Sequence, residues 1–157
     1  MGYNMKSFLK ENLITVLLVI LTGLVFLGLG RVMIANFTRD AKLCRLETTK
    51  QRVQAIEHFG WEVDETSETH ENVYIPAEFD DVYTRYNAIQ KLSGFDLTKY
   101  RGKGVKRYTY LVTNFPDEIK DEVFVNILVY NGCIIGGDCM TVALDGFMLP
   151  IDRRHID

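Results

Sequence analysis

The stretch VFVNILVYNGCIIGG, residues 123–137, commits the chain to a sheet. Val123 to Tyr130 is apolar at nearly every position and reads as a central strand. Asn131-Gly132 follows at once. Both residues tolerate the positive φ that a two-residue hairpin turn demands. Cys133 to Gly137 reads as the returning partner. Asp138 and then Thr141 to Leu144 continue it past a bulge at Gly136-Gly137. Asp145-Gly146 is a second turn, and Phe147 to Leu149 pack or pair at the end.

Upstream, Val105 to Thr113 is β-branched and aromatic enough for another strand, joined to the first by a loop over 114–122. Pro76 suits the first turn of a helix, and Glu78, Asp80 and Asp81 suit its positive end. Phe79, Val82, Tyr83, Tyr86 and Ile89 then fall on one helical face, which Gly94 ends. Further back, Thr48-x-x-Gln51 is a capping box ahead of Val53, Ile56 and Phe59, predicting a helix over 49–59 closed by Gly60. Between the helices, 61–64 alternates as a half-buried strand does, 64–70 is a polar turn, and 72–75 is a second short strand. The fold class is α+β: a small domain whose antiparallel sheet of 4–6 strands is covered by two helices on one face.

Ahead of this domain lies LITVLLVILTGLVFLGLG, residues 13–30, without a charge, Asn, Gln, His or Pro. Extended through Val32 to Ala35, it matches the ~20 residues that cross the hydrocarbon of a bilayer. It is longer than the ~7–15 residues of a signal-peptide core, so the reading is an uncleaved anchor. The organisation becomes a tail over 1–12, a transmembrane helix over 13–35, a connector over 36–47, a globular domain over 48–150 and a tail over 151–157. Lys6 and Lys10 precede the helix, and Arg31, Arg39, Lys42 and Arg45 follow it. That count favours the domain inside. Moving the amino-terminal charges outward against an inside-negative potential is costly, and the balance puts the amino terminus inside and the domain outside.

The 157 residues carry a net charge of −3. Residues 1–34 hold Lys6, Lys10 and Arg31 against Glu11, which leaves 15 Lys/Arg and 20 Asp/Glu in the remainder. A net of −5 there argues against nucleic-acid binding. Within it one basic patch stands out: Lys99, Arg101, Lys103, Lys106 and Arg107 with Tyr100 and Tyr108 between them. Such a patch suits an anionic partner, be it lipid headgroups, a cell-wall polymer or a phosphate. The binding residues expected from sequence are Tyr100, Arg101, Lys103 and Arg107, with the Tyr83 and Tyr86 face second.

Motifs of chemistry are sparse. His58, His70 and His155 lie at no metal spacing, and Ser7, Ser67 and Ser93 lie in no nucleophile elbow. Asp138 and Asp145, beside flexible backbone, are candidates for an acid/base or cation pair, and Cys139 is a candidate nucleophile. Neither a metal nor a cofactor is expected. Three cysteines, Cys44, Cys133 and Cys139, are an odd and small set, read as buried thiols rather than a disulfide framework. Cys133 and Cys139 stand too far apart along one strand to bond. Cys44, near the anchor, reads as an ordinary apolar contact rather than an acylated residue.

FGWEVD (59–64), IPAEFDDVYTRYNAIQKLSGFDLTKYRGKGVKRYTYLVTN (75–114) and LVYNGCIIGGDCMTVALDGFM (128–148) together resemble a small bacterial domain of unknown function, numbered 4830 and seen mostly in Firmicutes. The resemblance covers residues 50–149. It implies a bacterial, membrane-anchored protein and supplies neither an activity nor site residues. The functional expectation is a single-pass membrane protein whose domain is a non-enzymatic binding or interaction module at the cell envelope. It would meet an anionic envelope component or a protein partner. The alternatives are an envelope hydrolase using Asp138/Asp145 or Cys139, and a cytoplasmic-facing regulator.

Overall fold

The computed structural model describes residues 13–115, 122–143 and 146–155, with the side chains at 14, 16, 32–42 and 155 left out. The chain divides into two units, 1–41 and 42–157. Among the described residues the first unit holds one helix, α1 (Leu13–Lys42, 30 residues), which extends past the 35 expected for its end into the stretch read as a connector. Its apolar side chains from Leu17 to Leu29 stand more than half exposed within the chain. Thr22 turns its hydroxyl back onto the carbonyls of Leu18 (3.0 Å) and Val19 (2.9 Å), so its polar atom is satisfied inside the helix. Among the described residues no helix is long and apolar enough to cross a membrane.

The second unit is built on five antiparallel strands in simple meander order: β1 (Thr69–Tyr74), β2 (Gly104–Leu111), β3 (Val123–Tyr130), β4 (Cys133–Thr141) and β5 (Met148–Pro150). β3 and its turn form as the residues dictate: Asn131 and Gly132 both hold positive φ, 48° and 74°, the pair of values that a type I′ hairpin needs. The bulge falls at Ile135, between the pairs Leu128↔Gly136 and Val129↔Ile134. The two glycines serve close approach instead. A Cβ on Gly137 would stand 2.6 Å from Ile151 Cδ1 and 2.7 Å from the Asn126 carbonyl oxygen. The segment 61–64 and β1 both lie along β2, the former through a single bridge, Val63↔Val112, the latter through six pairs.

α2 (Thr49–Glu57) starts at the capping box: Thr48 Oγ1 accepts from the Gln51 amide and Gln51 Oε1 accepts from the Thr48 amide. α3 (Asp81–Leu92) starts later than Pro76 suggests, because Asp80 caps it by accepting from the Tyr83 amide at 2.7 Å. The helices lie on opposite faces of the sheet, not on one. Ala55 and Ile56 of α2 join Trp61, Tyr110, Val125, Ile127 and Cys139 in the larger core. Tyr83 and Tyr86 of α3 pack on Ile75, Leu97, Val105, Leu128 and Ile135 in the smaller one. β3 is therefore apolar on alternate residues for two different partners, which is what a continuous apolar run means.

The inward face of α3 is also rotated from its apolar stripe. Val82 is 65% exposed, while Asn87 and Gln90 are buried. Both amides have backbone partners. Asn87 Oδ1 accepts from the Leu97 amide at 2.8 Å and Gln90 Oε1 from the Gly137 amide at 2.6 Å. These bonds offset the burial of the two carbonyl oxygens, while Gln90 Nε2 is buried without a partner among the described residues, and hydropathy alone registers neither. At the carboxyl end, Ile151 and Asp152, read from the sequence as the start of a tail, are buried. Trp61 Nε1 donates to the Ile151 carbonyl at 2.6 Å.

Candidate functional site

The residues expected to bind converge on the face that α3 covers, in two different environments. Tyr100 to Lys103 form a turn, the Lys103 amide donating to the Tyr100 carbonyl at 3.1 Å. Arg101 sits at φ −51°, ψ 135° and Gly102 at φ +70°, a type II turn in which the third position favours glycine. The turn is fastened to the end of β1 by Gly102 N–H to Ile75 O and Ile75 N–H to Lys103 O, each 2.9 Å. Lys99, Arg101, Lys103 and Lys106 are exposed. Arg101 lies over the Phe79 ring with its Cζ 4.6 Å from the centroid, and Tyr100 meets Tyr130 edge-on at 5.6 Å. Glu78, Asp80 and Asp81, also exposed, flank Phe79 in sequence, so the surface is mixed and not purely basic.

From Phe79 an aromatic row runs inward, to Tyr83 at 4.8 Å and then to Tyr86 at 5.6 Å. Tyr86 ends in a buried polar chain: its hydroxyl donates to Asp138 Oδ2 at 2.9 Å. Asn126, opposite Asp138 in the β3–β4 register, donates from Nδ2 to Asp138 Oδ1 at 2.7 Å. Asn126 Oδ1 accepts from Thr109 Oγ1 at 2.6 Å. Arg107 is engaged elsewhere, in an ion pair with Glu71 directly across β1–β2. Of the six expected binding residues, Tyr83, Tyr86, Tyr100 and Arg107 are thus committed to packing or pairing, and Arg101 and Lys103 remain turned to solvent.

Asp138 is 2% exposed. Burial raises its carboxyl above the ordinary value, against the opposing pull of Asn126, Tyr86 and the Arg107 charge. The Tyr86 phenol is pushed well up by burial and by the neighbouring carboxylate. An acid whose folded value is raised destabilises the fold once ionised. This contribution is least harmful below the unfolded carboxylate value and worsens as pH rises through the folded one. Asp138→Asn keeps the shape and removes the charge. Its stability relative to wild type is expected to rise between pH 3.5 and pH 7, by about 1.4 kcal/mol for each unit of the raised value. Urea unfolding at the two pH values checks this, and a difference that falls with pH contradicts it.

Cys139 cannot serve beside Asp138. Neighbours along a strand point to opposite faces, and Cys139 is fully buried in the larger core with its thiol pushed up to about 12, chiefly by burial. A thiol so placed lacks the exposure and thiolate character of a nucleophile. Asp145 lies outside the described residues. No group of His, Cys, Asp and Glu able to hold a metal occurs among the described residues.

Two features escaped the sequence reading. The first corrects it: Cys44 and Cys133 form a disulfide, 89 residues apart in the chain, and Cys139 alone is free. The connector runs antiparallel to the start of β4. The Ile134 amide donates to the Leu43 carbonyl at 2.8 Å and the Leu46 amide to the Gly132 carbonyl at 3.1 Å, which sets Cys44 opposite Cys133. The only sequence signal was the position of Cys133 just after a hairpin turn. The second is Arg52, buried in α2. Its guanidinium bonds Glu68 (2.7 Å), the Tyr110 hydroxyl (3.0 Å) and the carbonyls of Leu46 (3.2 Å) and Glu47 (3.1 Å). Its helical spacing to Ile56 was the available hint.

The family model described as a domain of unknown function, DUF4830, matches residues 55–139, more than half of the chain. The chain belongs to the DUF4830 family. The match runs from α2 through the Asn126–Asp138 row and includes Cys133, while Cys44 precedes it and β5 follows it. It is shorter at both ends than the 50–149 expected from the resemblance. No curated protein and no solved structure matches this DUF4830 chain.

Proposed function

We propose that this DUF4830 protein is a non-enzymatic binding module, tethered by its amino-terminal helix to a bacterial membrane with the domain on the oxidising, extracytoplasmic side. The observation that carries the reading is the Cys44–Cys133 disulfide. Disulfides persist where the surroundings are oxidising and are rare in the reducing cytosol. The uncharged run Leu13–Gly30 supports the tether, since its one kind of polar side chain, threonine, is of the type that bonds within its own helix. The disulfide also weighs against a cytoplasmic-facing regulator. The partner is an anionic envelope component, met by Arg101 and Lys103 on their turn, with Lys99 just ahead of it in the chain.

Two measurements test the two halves. In extracts of expressing cells denatured without reductant, one thiol, Cys139, takes up a mass-tagged maleimide, and three do so after reduction. Three tagged thiols without reductant would place the domain in a reducing compartment and end the export reading. For binding, the full-length chain in detergent is retained on a poly(glycerol phosphate) resin. Arg101→Glu with Lys103→Glu lowers retention by ~10-fold or more at low salt while leaving the thermal melt unchanged. Retention unaffected by the double reversal would remove this surface from consideration.

A further inference from the structure

The connector ahead of α2 is held more firmly than a linker needs to be. Leu43 and Leu46 are buried in the larger core. Two backbone bonds and the Cys44–Cys133 disulfide tie the segment to the β3–β4 hairpin, and Arg52 grips the carbonyls of Leu46 and Glu47. Between the two leucines, Arg45 is exposed and holds φ at 64°. This is a left-handed conformation that non-glycine residues adopt only when their surroundings impose it.

Cys44 and Cys133 are both partly exposed, so a thiol reagent can reach the bond. Releasing the segment would free the backbone of 43–47 and relax Arg45. Retaining it keeps two leucines out of water and the carbonyls bonded. These contributions oppose one another, which leaves the covalent bond to decide.

We infer that residues 43–47 form a redox-held strap, closed against the β3–β4 hairpin by the Cys44–Cys133 bond and released when a dithiol reductant opens that bond. In the step, two electrons and two protons pass from the dithiol to the bond. Cys44 and Cys133 become thiols and the reductant leaves as its own disulfide. Release frees the backbone of the five residues 43–47, up to about 17 Å of extended chain. The inference rests on the connector's geometry and not on which side of a membrane the domain occupies.

The test uses the full-length chain in detergent, with and without dithiothreitol. Limited trypsin digestion reports on Arg45, hydrogen exchange reports on the Leu46 and Ile134 amides, and near-ultraviolet dichroism of Trp61 reports on the fold. Reduction is expected to speed cleavage after Arg45 and exchange at both amides by ~10-fold or more, with the Trp61 signal retained. Unchanged cleavage and exchange, with two newly titrated thiols, would show that the strap stays shut without its bond and overturn the inference. Loss of the Trp61 signal together with cleavage throughout the domain would overturn it as well, since the bond would then secure the whole fold. A change in cellular location would bear on the export reading and leave this result untouched.

Discussion

Arg52→Ala is expected to lower the stability of the domain by about 2–4 kcal/mol, somewhat below the cost of breaking a fully buried ion pair, since Arg52 is buried and Glu68 is partly so. Arg52 is 5% exposed and Glu68 is its paired carboxylate. The deletion strips the main cation from Glu68, which the Tyr110 hydroxyl also contacts. It leaves the carbonyls of Leu46 and Glu47 without their side-chain donor. It also removes the guanidinium plane lying 4.1 Å over the Tyr108 ring, an attraction of about 0.5–2 kcal/mol in its own right.

Burial alone would raise the Glu68 carboxyl, but the bonds from Arg52, Tyr110 and Thr49 outweigh it and hold the group below its ordinary value. A depressed carboxylate stabilises the fold above its unfolded value, and that stability is lost as pH falls through the folded one. The gap between wild type and Arg52→Ala should therefore narrow on acidification below about pH 4. Urea unfolding at pH 7 and pH 3.5 measures both the cost and its trend. A loss under 1 kcal/mol at pH 7 would mean that the guanidinium is dispensable. The double variant Arg52→Met, Glu68→Leu is expected to regain only part of the stability, since two apolar groups substitute tolerably for the ion pair but leave the Tyr110 hydroxyl and the Leu46 and Glu47 carbonyls without these partners.

Trp61→Ala is expected to cost about 3–5 kcal/mol, as large-to-small changes of fully buried aromatic residues do. Trp61 is fully buried. It stacks on Phe115 at 5.8 Å with the planes 2° apart, and Arg153 lies 5.4 Å over the indole. The indole N–H bond to Ile151 also ties the carboxyl-terminal segment to the core, where the Arg153 amide reaches the Phe59 carbonyl at 3.1 Å and the Asp152 amide reaches Ser93 Oγ at 3.1 Å. Beyond the loss in urea midpoint, the amides of Asp152 and Arg153 should exchange faster in the variant. Trp61→Phe keeps most of the apolar volume and loses the N–H, so it should sit between wild type and alanine. Protection at Asp152 and Arg153 unaltered by either change would mean that the carboxyl end is held without Trp61.

Both predictions concern residues whose importance lies in partners far away in the chain. Arg52 meets Glu68 and Tyr110 from a helix whose apolar residues, not its charges, announce it. Trp61 meets Ile151, 90 residues on, from a segment that alternates like a strand and forms only one bridge. The tyrosine stripe of α3 shows the same division. Its existence follows from spacing, yet Asn87 and Gln90 face inward while Val82 faces out, because backbone amides at Leu97 and Gly137 supply bonds that no hydropathy pattern encodes. Arg107 belonged to the basic patch by sequence, and the β1–β2 register gave it to Glu71.

The local chemistry of the chain sufficed for β3, the Asn131-Gly132 turn, the Thr48–Gln51 cap and the α+β class. Each depends on residues within a few positions of one another, where dihedral preference and side-chain period act directly. Tertiary structure alone decided that the two helices take opposite faces, that Asp138 is buried between Tyr86 and Asn126, and that Cys44 reaches Cys133. These depend on register and on which segment lies beside which. Pairing of residues as far apart as Cys44 and Cys133, 89 positions, is set by the packing of the whole sheet, because strand partners and bond partners are chosen by burial summed over the domain and not by neighbours in sequence.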